Sequence, residues 1–436
     1  MNPQRRLWLR QLATAGSAAG LASRAAPAAE RGVSRGAARQ VAEAEAAVEP
    51  DAVRRGRALR FPRDHGAHLG TRTEWWYATG WLAGAEGPTP LATGGPGPAP
   101  APAPLPLPAP APEAAARPSP APQPALGFQV TFFRSRTGLA QNLSGRFAPR
   151  QLLFAHAAVT DLARQRHLHD QRIVRWSQAP DAATARAALA DAEVHLGNWW
   201  LRREGRPQSP GTSAAAGPSR WRTRVAASDF QLDLSLAATQ TLLLQGEAGF
   251  SRKGPQEQQA SHYYSEPQLA LSGQLGFAGA SQAFVGRAWL DHEWSDDILH
   301  PEAVGWDWIG MNLFDGSALT AFRLRRADGS ALWAGGSFRS PDRPASNFSP
   351  QDLRWQPGRA WRSPASGTPY PVEWQLQTPA GRFGVRALLD AQELDSRGST
   401  GSIYWEGLSE LLDNQGRRLG LGYLEMTGYA SRLRLG

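Results

Sequence analysis

Phe230-Gln231-Leu232-Asp233-Leu234-Ser235-Leu236 places an apolar residue at every second position and a polar one between. That period of two is the mark of a half-buried antiparallel strand. Working outward, Asp307–Leu313, Ala318–Arg325 and Ala331–Gly336 are separated by Asp315-Gly316 and Asp328-Gly329. Asp-Gly between alternating runs is the strongest short-range hairpin signal, so the three predict a β-meander. Val372–Leu376, Phe383–Leu388, Ser402–Trp405 and Leu421–Met426 carry the pattern towards the end. Upstream, Thr73–Trp81 and Gly127–Phe133 read as further strands, rich in aromatic and β-branched residues. The fold class is all-β and antiparallel, as a sandwich or up-and-down barrels. Asp181–Val194 is the one helical window, Ala-rich with Asp181 as N-cap. The two strand-rich halves meet between Phe250 and Val285, giving domains at 59–265 and 266–436.

The chain has 436 residues, 45 Gly and 35 Pro, yet is 41% hydrophobic with 17 Trp and 15 Phe. Enough apolar volume exists for a sizeable core, so the Gly and Pro mark inserts and turns rather than wholesale disorder. An Ala/Pro tract at 88–125 interrupts the hairpin between Thr73–Trp81 and Gly127–Phe133, and Gly205–Ser219 forms a second insert. Loops accept such additions because closure entropy grows only logarithmically with length. Residues 29–58 form a leader, helical or unfolded. Before it, Arg5-Arg6, a weakly apolar stretch from Gln11 to Ala22, and Ala26-Pro27-Ala28 resemble a twin-arginine signal peptide over residues 1–28. The expected location is periplasmic or secreted.

Net charge is +9, and removal of residues 1–28 would take away Arg5, Arg6, Arg10 and Arg24 and bring it to +5. The positive charge is almost wholly arginine, with Lys253 the only lysine, and it is scattered rather than clustered. Nucleic-acid binding needs a basic stripe and is not expected. Zero cysteines exclude disulfide frameworks, thiolate metal sites and cysteine nucleophiles. No G-x-S-x-G elbow and no phosphate-binding loop occurs.

Four segments set carboxylates beside tryptophans: Glu74-Trp75-Trp76-Tyr77, Asp291-His292-Glu293-Trp294, Trp306-Asp307-Trp308 and Tyr404-Trp405-Glu406. A carboxyl in an aromatic-walled pocket has its charged form disfavoured, so it can hold and donate a proton near neutral pH. Tryptophan faces can shield the cation such a protonation makes. Acid-catalysed addition of water to an alkene fits this chemistry. Against it stands the ordinary role of aromatics as barrel core, with the acids solvated or bound to backbone. Asp64-His65 with His68, or Asp291-His292-Glu293, offer metal-ligand types without a zinc spacing, so no metal and no other cofactor is expected.

Phe61–Gly80 (FPRDHGAHLGTRTEWWYATG), Phe147–Asp161, Leu242–Pro255, Ala260–Tyr264, Ala288–Trp294 (AWLDHEW), Gly305–Asp315, Gln392–Glu406 and Gly422–Tyr429 (GYLEMTGY) resemble, in order, the AttH-like or carotenoid 1,2-hydratase-like family of exported bacterial proteins. The resemblance implies two lipocalin-like β-barrels side by side, with the motif residues gathered in a cleft near their junction. It also implies an elongated apolar ligand, carotenoid, isoprenoid or lipid, and hydration of a C=C bond without a redox cofactor. By the family's His-x-Trp element, His292 and Trp294 are the expected catalytic pair, with Asp291 or Glu293 as proton donor. Glu74, Trp75, Trp76, Tyr77, His156, Tyr263, Tyr264, Trp306, Asp307, Trp308, Tyr404, Trp405 and Glu406 are the expected ligand-binding residues. The segment Ala318–Arg325 lacks the Tyr and Asp that the dedicated hydratases carry beyond that element. Because relatives look like companions of ABC-type export permeases, a non-catalytic lipid carrier with an inner-membrane ABC-type permease as partner is the alternative expectation.

Overall fold

The computed structural model describes residues 53–84, 123–138, 150–176, 184–204, 219–277 and 279–433. The first sheet contains β1 (Thr73–Gly84), β2 (Leu126–Arg136), β3 (Gln151–Asp161), β4 (Arg166–Trp176), β5 (Ala185–Ala187), β6 (Glu193–Leu196), β7 (Trp199–Glu204), β8 (Arg220–Ala226), β9 (Gln231–Ala237), β10 (Leu243–Leu244), β11 (Phe250–Arg252), β12 (Ala260–Phe277) and β13 (Ala280–Ser295). Their order is β4-β3-β2-β1-β13-β12-β9-β8-β7-β6-β5, with β10 and β11 also on β12. The ends β4 and β5 come together, so the sheet is a nearly closed barrel. Arg172 on β4 spans the seam, donating to the Ala226 carbonyl at 3.0 Å and lying 4.6 Å over the Trp199 ring. The predicted alternation of 230–236 holds along β9, where Leu232, Leu234 and Leu236 are buried among Trp76, Phe128, Trp199 and Trp221.

The second sheet contains β14 (Gly305–Leu313), β15 (Ala318–Arg325), β16 (Ala331–Arg339), β17 (Ser346–Phe348), β18 (Arg354–Pro357), β21 (Glu373–Thr378), β22 (Gly381–Ala387), β23 (Glu393–Asp395), β24 (Ile403–Leu412) and β25 (Arg418–Met426), beside a small pair, β19 (Ala360–Arg362) and β20 (Pro369–Pro371). The Asp-Gly meander is β14-β15-β16, and β14 also pairs with β25. Ile309, Met311, Trp374, Trp405 and Leu424 fill its core.

A third cluster joins the sheets: Tyr77, Trp81 and Trp289 from the first meet Trp308, Phe322, Leu408 and Tyr423 from the second. Asn312 pins the junction, its Oδ1 accepting from the Gln268 backbone N–H at 2.8 Å and its amide donating to the Ala288 carbonyl at 3.1 Å. Gly127 allows the approach, since a Cβ there would stand 2.7 Å from the Tyr423 hydroxyl. Residues 49–436 make one compact unit.

Two expectations change. Asp181–Val194 holds no helix among its described residues, because Ala185–Ala187 and Glu193–Leu196 are strands; cross-strand pairing with β7 overrides alanine's helical preference. The 265/266 boundary falls inside β12, and the first sheet runs on to Ser295. The reason is long-range: β13 pairs with β1 over Thr73↔Ser295 to Gly84↔Phe284, a partner that local patterning does not reveal. The signal peptide, most of the leader, and residues 88–122 and 205–218 of the inserts lie outside the described residues.

Candidate functional site

Strands β1, β12 and β13 lie side by side, and each sends alternate residues to opposite faces. Glu74 and Trp76, His262 and Tyr264, and His292 and Trp294 point into the first barrel. Trp75 and Tyr77, Tyr263 and Ser265, and Asp291 and Glu293 point towards the second sheet.

On the inner face, Glu74 is enclosed by donors. Arg134 Nε lies 2.7 Å from Oε2, His68 Nδ1 2.7 Å and His292 Nε2 3.0 Å from Oε1, and the His68 backbone N–H donates at 2.9 Å. His68 Nε2 reaches Asp64 at 2.9 Å, and His292 Nδ1 reaches the Tyr264 hydroxyl at 3.2 Å. Trp294 stacks on His68 at 3.7 Å and Trp76 on His292 at 4.7 Å. Burial alone would raise the Glu74 carboxyl, but Arg134, His68 and His292 outweigh it and hold it well below the usual carboxylate range. Burial pushes His292 down to about 4. His68, Glu74 and His292 also form the one buried group of metal-ligand type among the described residues. Its nitrogens and carboxylate oxygens are already satisfied by one another and by Arg134, Asp64 and Tyr264, so the donor set is that of a hydrogen-bonded ion cluster rather than a metal centre.

The outer face borders a cavity of about 150 Å3 between the sheets. Its apolar walls are Trp75, Phe133 and Phe154 from the first sheet, Trp306, Trp308, Phe322 and Leu324 from the second, and Ile298 and Leu433 from the segments that follow each. Four carboxyls open onto it: Asp291, Glu293, Glu406 and Glu425. Glu406 and Glu425 are direct cross-strand partners on β24 and β25. Burial and the neighbouring Glu425 push the Glu406 carboxyl well above its ordinary range. Glu425 is raised to about 7 by burial and by the carboxylates of Asp291, Glu293 and Asp307. Two like groups packed this closely cannot both ionise cheaply, so the pair keeps at least one proton at neutral pH. Glu406 and the Tyr77 hydroxyl are both buried at the cavity, where the hydroxyl is the hydrogen-bonding neighbour of the carboxyl and offsets only part of the push from burial and Glu425.

Asp291 differs. Burial raises it to about 7, although the hydroxyls of Ser265 (2.5 Å) and Tyr263 (2.7 Å) and the Trp289 indole N–H (2.7 Å) all donate to it. Its oxygens are thus occupied as acceptors. Glu293 pairs with Lys253 at 2.8 Å and accepts from the Ser261 hydroxyl. His156 accompanies the far wall, its Nδ1 2.8 Å from the Tyr404 hydroxyl and its Nε2 2.8 Å from the Ser399 hydroxyl; burial lowers it to about 3, so it is neutral.

A family model described as AttH-like matches residues 119–429. The chain belongs to the AttH-like family. The crystal structure of a Nitrosomonas europaea protein named as an AttH is 40% identical, the match covering 86% of this chain and 99% of that one with a TM-score of 0.69. Kievitone hydratase from Nectria haematococca shares the fold at 13% identity, over 86% of this chain and 94% of that one, with a TM-score of 0.56. No curated protein matches this chain.

In this AttH-like chain the residues expected to share one cleft divide. Asp291, Glu293, Trp75, Tyr77, His156, Tyr263, Trp306, Trp308, Tyr404 and Glu406 line the cavity. His292, Trp294, Glu74, Trp76 and Tyr264 lie behind it in the first barrel, while Trp405 lies in the second core and Asp307 is bound by Arg323 at 2.7 Å and by the Tyr429 hydroxyl at 2.9 Å. The division corrects the single-cleft expectation, and its cause is the pleat: neighbours in a His-x-Trp or Trp-Asp-Trp run cannot face one way. Sequence reasoning missed Glu425 and Lys253. A carboxylate inside the apolar run Leu421–Met426, and a single lysine among 47 basic residues, were the available signals.

Proposed function

We propose that this protein is a hydro-lyase-type catalyst that protonates a carbon–carbon double bond of an apolar ligand and adds water to it. The observation that carries the reading is the facing Glu406–Glu425 pair, two carboxyls that burial and neighbouring carboxylates push towards the protonated form, opening into a cavity walled by tryptophan and phenylalanine. The alkene π pair takes the proton of Glu406, leaving a carbocation that the faces of Trp75, Trp306 and Trp308 shield. Water adds to the cation, and the carboxylate left on Glu406 takes the proton released, so H and OH end on adjacent carbons. Glu406 suits the donor's part better than Asp291 or Glu293, whose oxygens are taken up by Ser265, Tyr263, Trp289 and Lys253. His292 and Trp294 act, on this reading, from behind the sheet.

The size of the cavity limits what reacts. About 150 Å3 is roughly the volume of an engineered cavity that binds benzene. A long isoprenoid or carotenoid would therefore place only its terminal double bond there. The kinship to a hydratase fold supports the reaction class, and the paired-arginine leader supports export to the periplasm. The test is incubation of purified protein with neurosporene, lycopene and short branched terminal alkenes in H2(18)O, followed by mass spectrometry. A labelled tertiary alcohol that disappears in Glu406→Gln is the expected result. Tight binding without any labelled product sinks catalysis and leaves the lipid-carrier reading, which the apolar walls also support.

A further inference from the structure

Lys253 is the only lysine in a chain with 46 arginines. It sits directly after β11, is buried, and lines the cavity. An ammonium carries three N–H donors. One meets Glu293 Oε1 at 2.8 Å, whereas the rings of Tyr263, at 4.7 Å, and Phe322, at 4.1 Å, face the same nitrogen. Ring faces attract the charge, but they are weak substitutes for an oxygen lone pair. A guanidinium here would bring five donors in a rigid fork to a wall that offers one carboxylate and two π-faces, whereas a compact ammonium leaves its spare donors free for a guest.

We propose that Lys253 is the polar anchor of the cavity and that it selects an apolar ligand bearing a neutral oxygen acceptor of the carbonyl class. The inference rests on the cavity being the ligand site and deepens the proposed function by naming the polar group that the most tightly held ligands carry. A neutral acceptor fits better than an anion. Glu293 already balances the ammonium, so a ligand carboxylate would bring a buried charge for which no counter-ion is left. A carbonyl dipole takes the spare N–H without adding charge. Held there, its oxygen fixes which part of the apolar body lies against Trp306 and Trp308.

The probes are acetophenone and ethylbenzene, matched in shape and different only in the oxygen. Calorimetric titration of the full chain should show acetophenone binding about tenfold or more tighter, as expected for a hydrogen bond to a charged donor. In Lys253→Met/Glu293→Gln, which removes both charges and leaves no buried ion alone, the preference should fall to about threefold or less while ethylbenzene binds as before. The single side-chain ammonium gives one 15Nζ NMR signal, which should move with acetophenone and stay in place with ethylbenzene. Equal binding of the two probes, a preference that survives in the double variant, or an unmoved 15Nζ signal at saturating acetophenone each overturns the anchor. So does failure of acetophenone to bind at all. None of these readings involves turnover, so loss of the anchor and loss of the hydration reading are separate outcomes.

Discussion

The two faces of β1 and β13 carry the same kinds of residue to opposite ends. Behind the sheet, Glu74 has a guanidinium, two imidazoles and a backbone N–H around it, and all of them are satisfied. In front of it, Glu406 faces a second carboxyl, Glu425, and has one neutral hydroxyl, that of Tyr77, as its hydrogen-bonding neighbour. A buried ion with its full complement of partners holds strands in register; a buried acid without them stores a proton and waits for a guest. Partner count, not burial or aromatic surroundings, separates the structural acid from the reactive one.

The largest effect should come from breaking the inner face. Glu74→Ala leaves Arg134 and His68 buried without their carboxylate, and removing one partner of a buried pair costs about 3–5 kcal/mol. Urea denaturation should show that loss, and an unchanged midpoint would break the comparison. Glu406→Gln should leave stability near wild type while lowering the hydration rate about 10²-fold or more, the usual share of general-acid catalysis. A stable, fully active variant would move the donor to another group.

Opposite pKa shifts sharpen the contrast further. Glu425 and Asp291 rise to about 7 in the folded protein, from about 4 when unfolded, so the folded state holds the extra protons between these values. Their stability contribution is complete below about pH 4 and is lost as pH rises through about 7. Glu74 is held low, so its contribution is present above about pH 4 and is lost as pH falls. Between about pH 7.5 and 8.5, above the unfolded histidine value of 6.5, histidines such as His156 and His292 are neutral in both states, so wild-type stability should decline as the last carboxyl protons leave and Glu425→Gln should flatten the decline. A slope that persists in Glu425→Gln points to Asp291 or to Glu266, which burial also raises to about 7. The smallest change expected is Trp308→Phe, which removes the 3.2 Å indole donation to the Tyr263 hydroxyl and costs about 1 kcal/mol.

Strand character was legible wherever one face is wet: Leu232, Leu234 and Leu236 declared β9, and the two Asp-Gly turns declared β14 to β16. The composition of the site was legible too, since Asp291, Glu406, Trp306 and Trp308 stood out as acids beside tryptophans. What the residues could not reveal is which of two adjacent acids faces which side. That depends on register against a distant strand, as Tyr77↔Asp291 shows. Glu425 acquires its meaning only opposite Glu406, a pairing set by the β24–β25 turn.

The pairing of β1 has a consequence in time. One edge is covered by β2, but the other waits for β13, whose last partner is Ser295. At about 5–20 residues per second, the roughly 200 residues between them take on the order of 10–40 s to synthesise. Throughout that interval Trp75, Trp76 and Tyr77 sit on an uncovered strand edge, a template for pairing with the wrong chain. The strand that supplies both the ion cluster and the cavity wall is thus among the earliest made, and it waits for its second partner longer than β14 waits for β25.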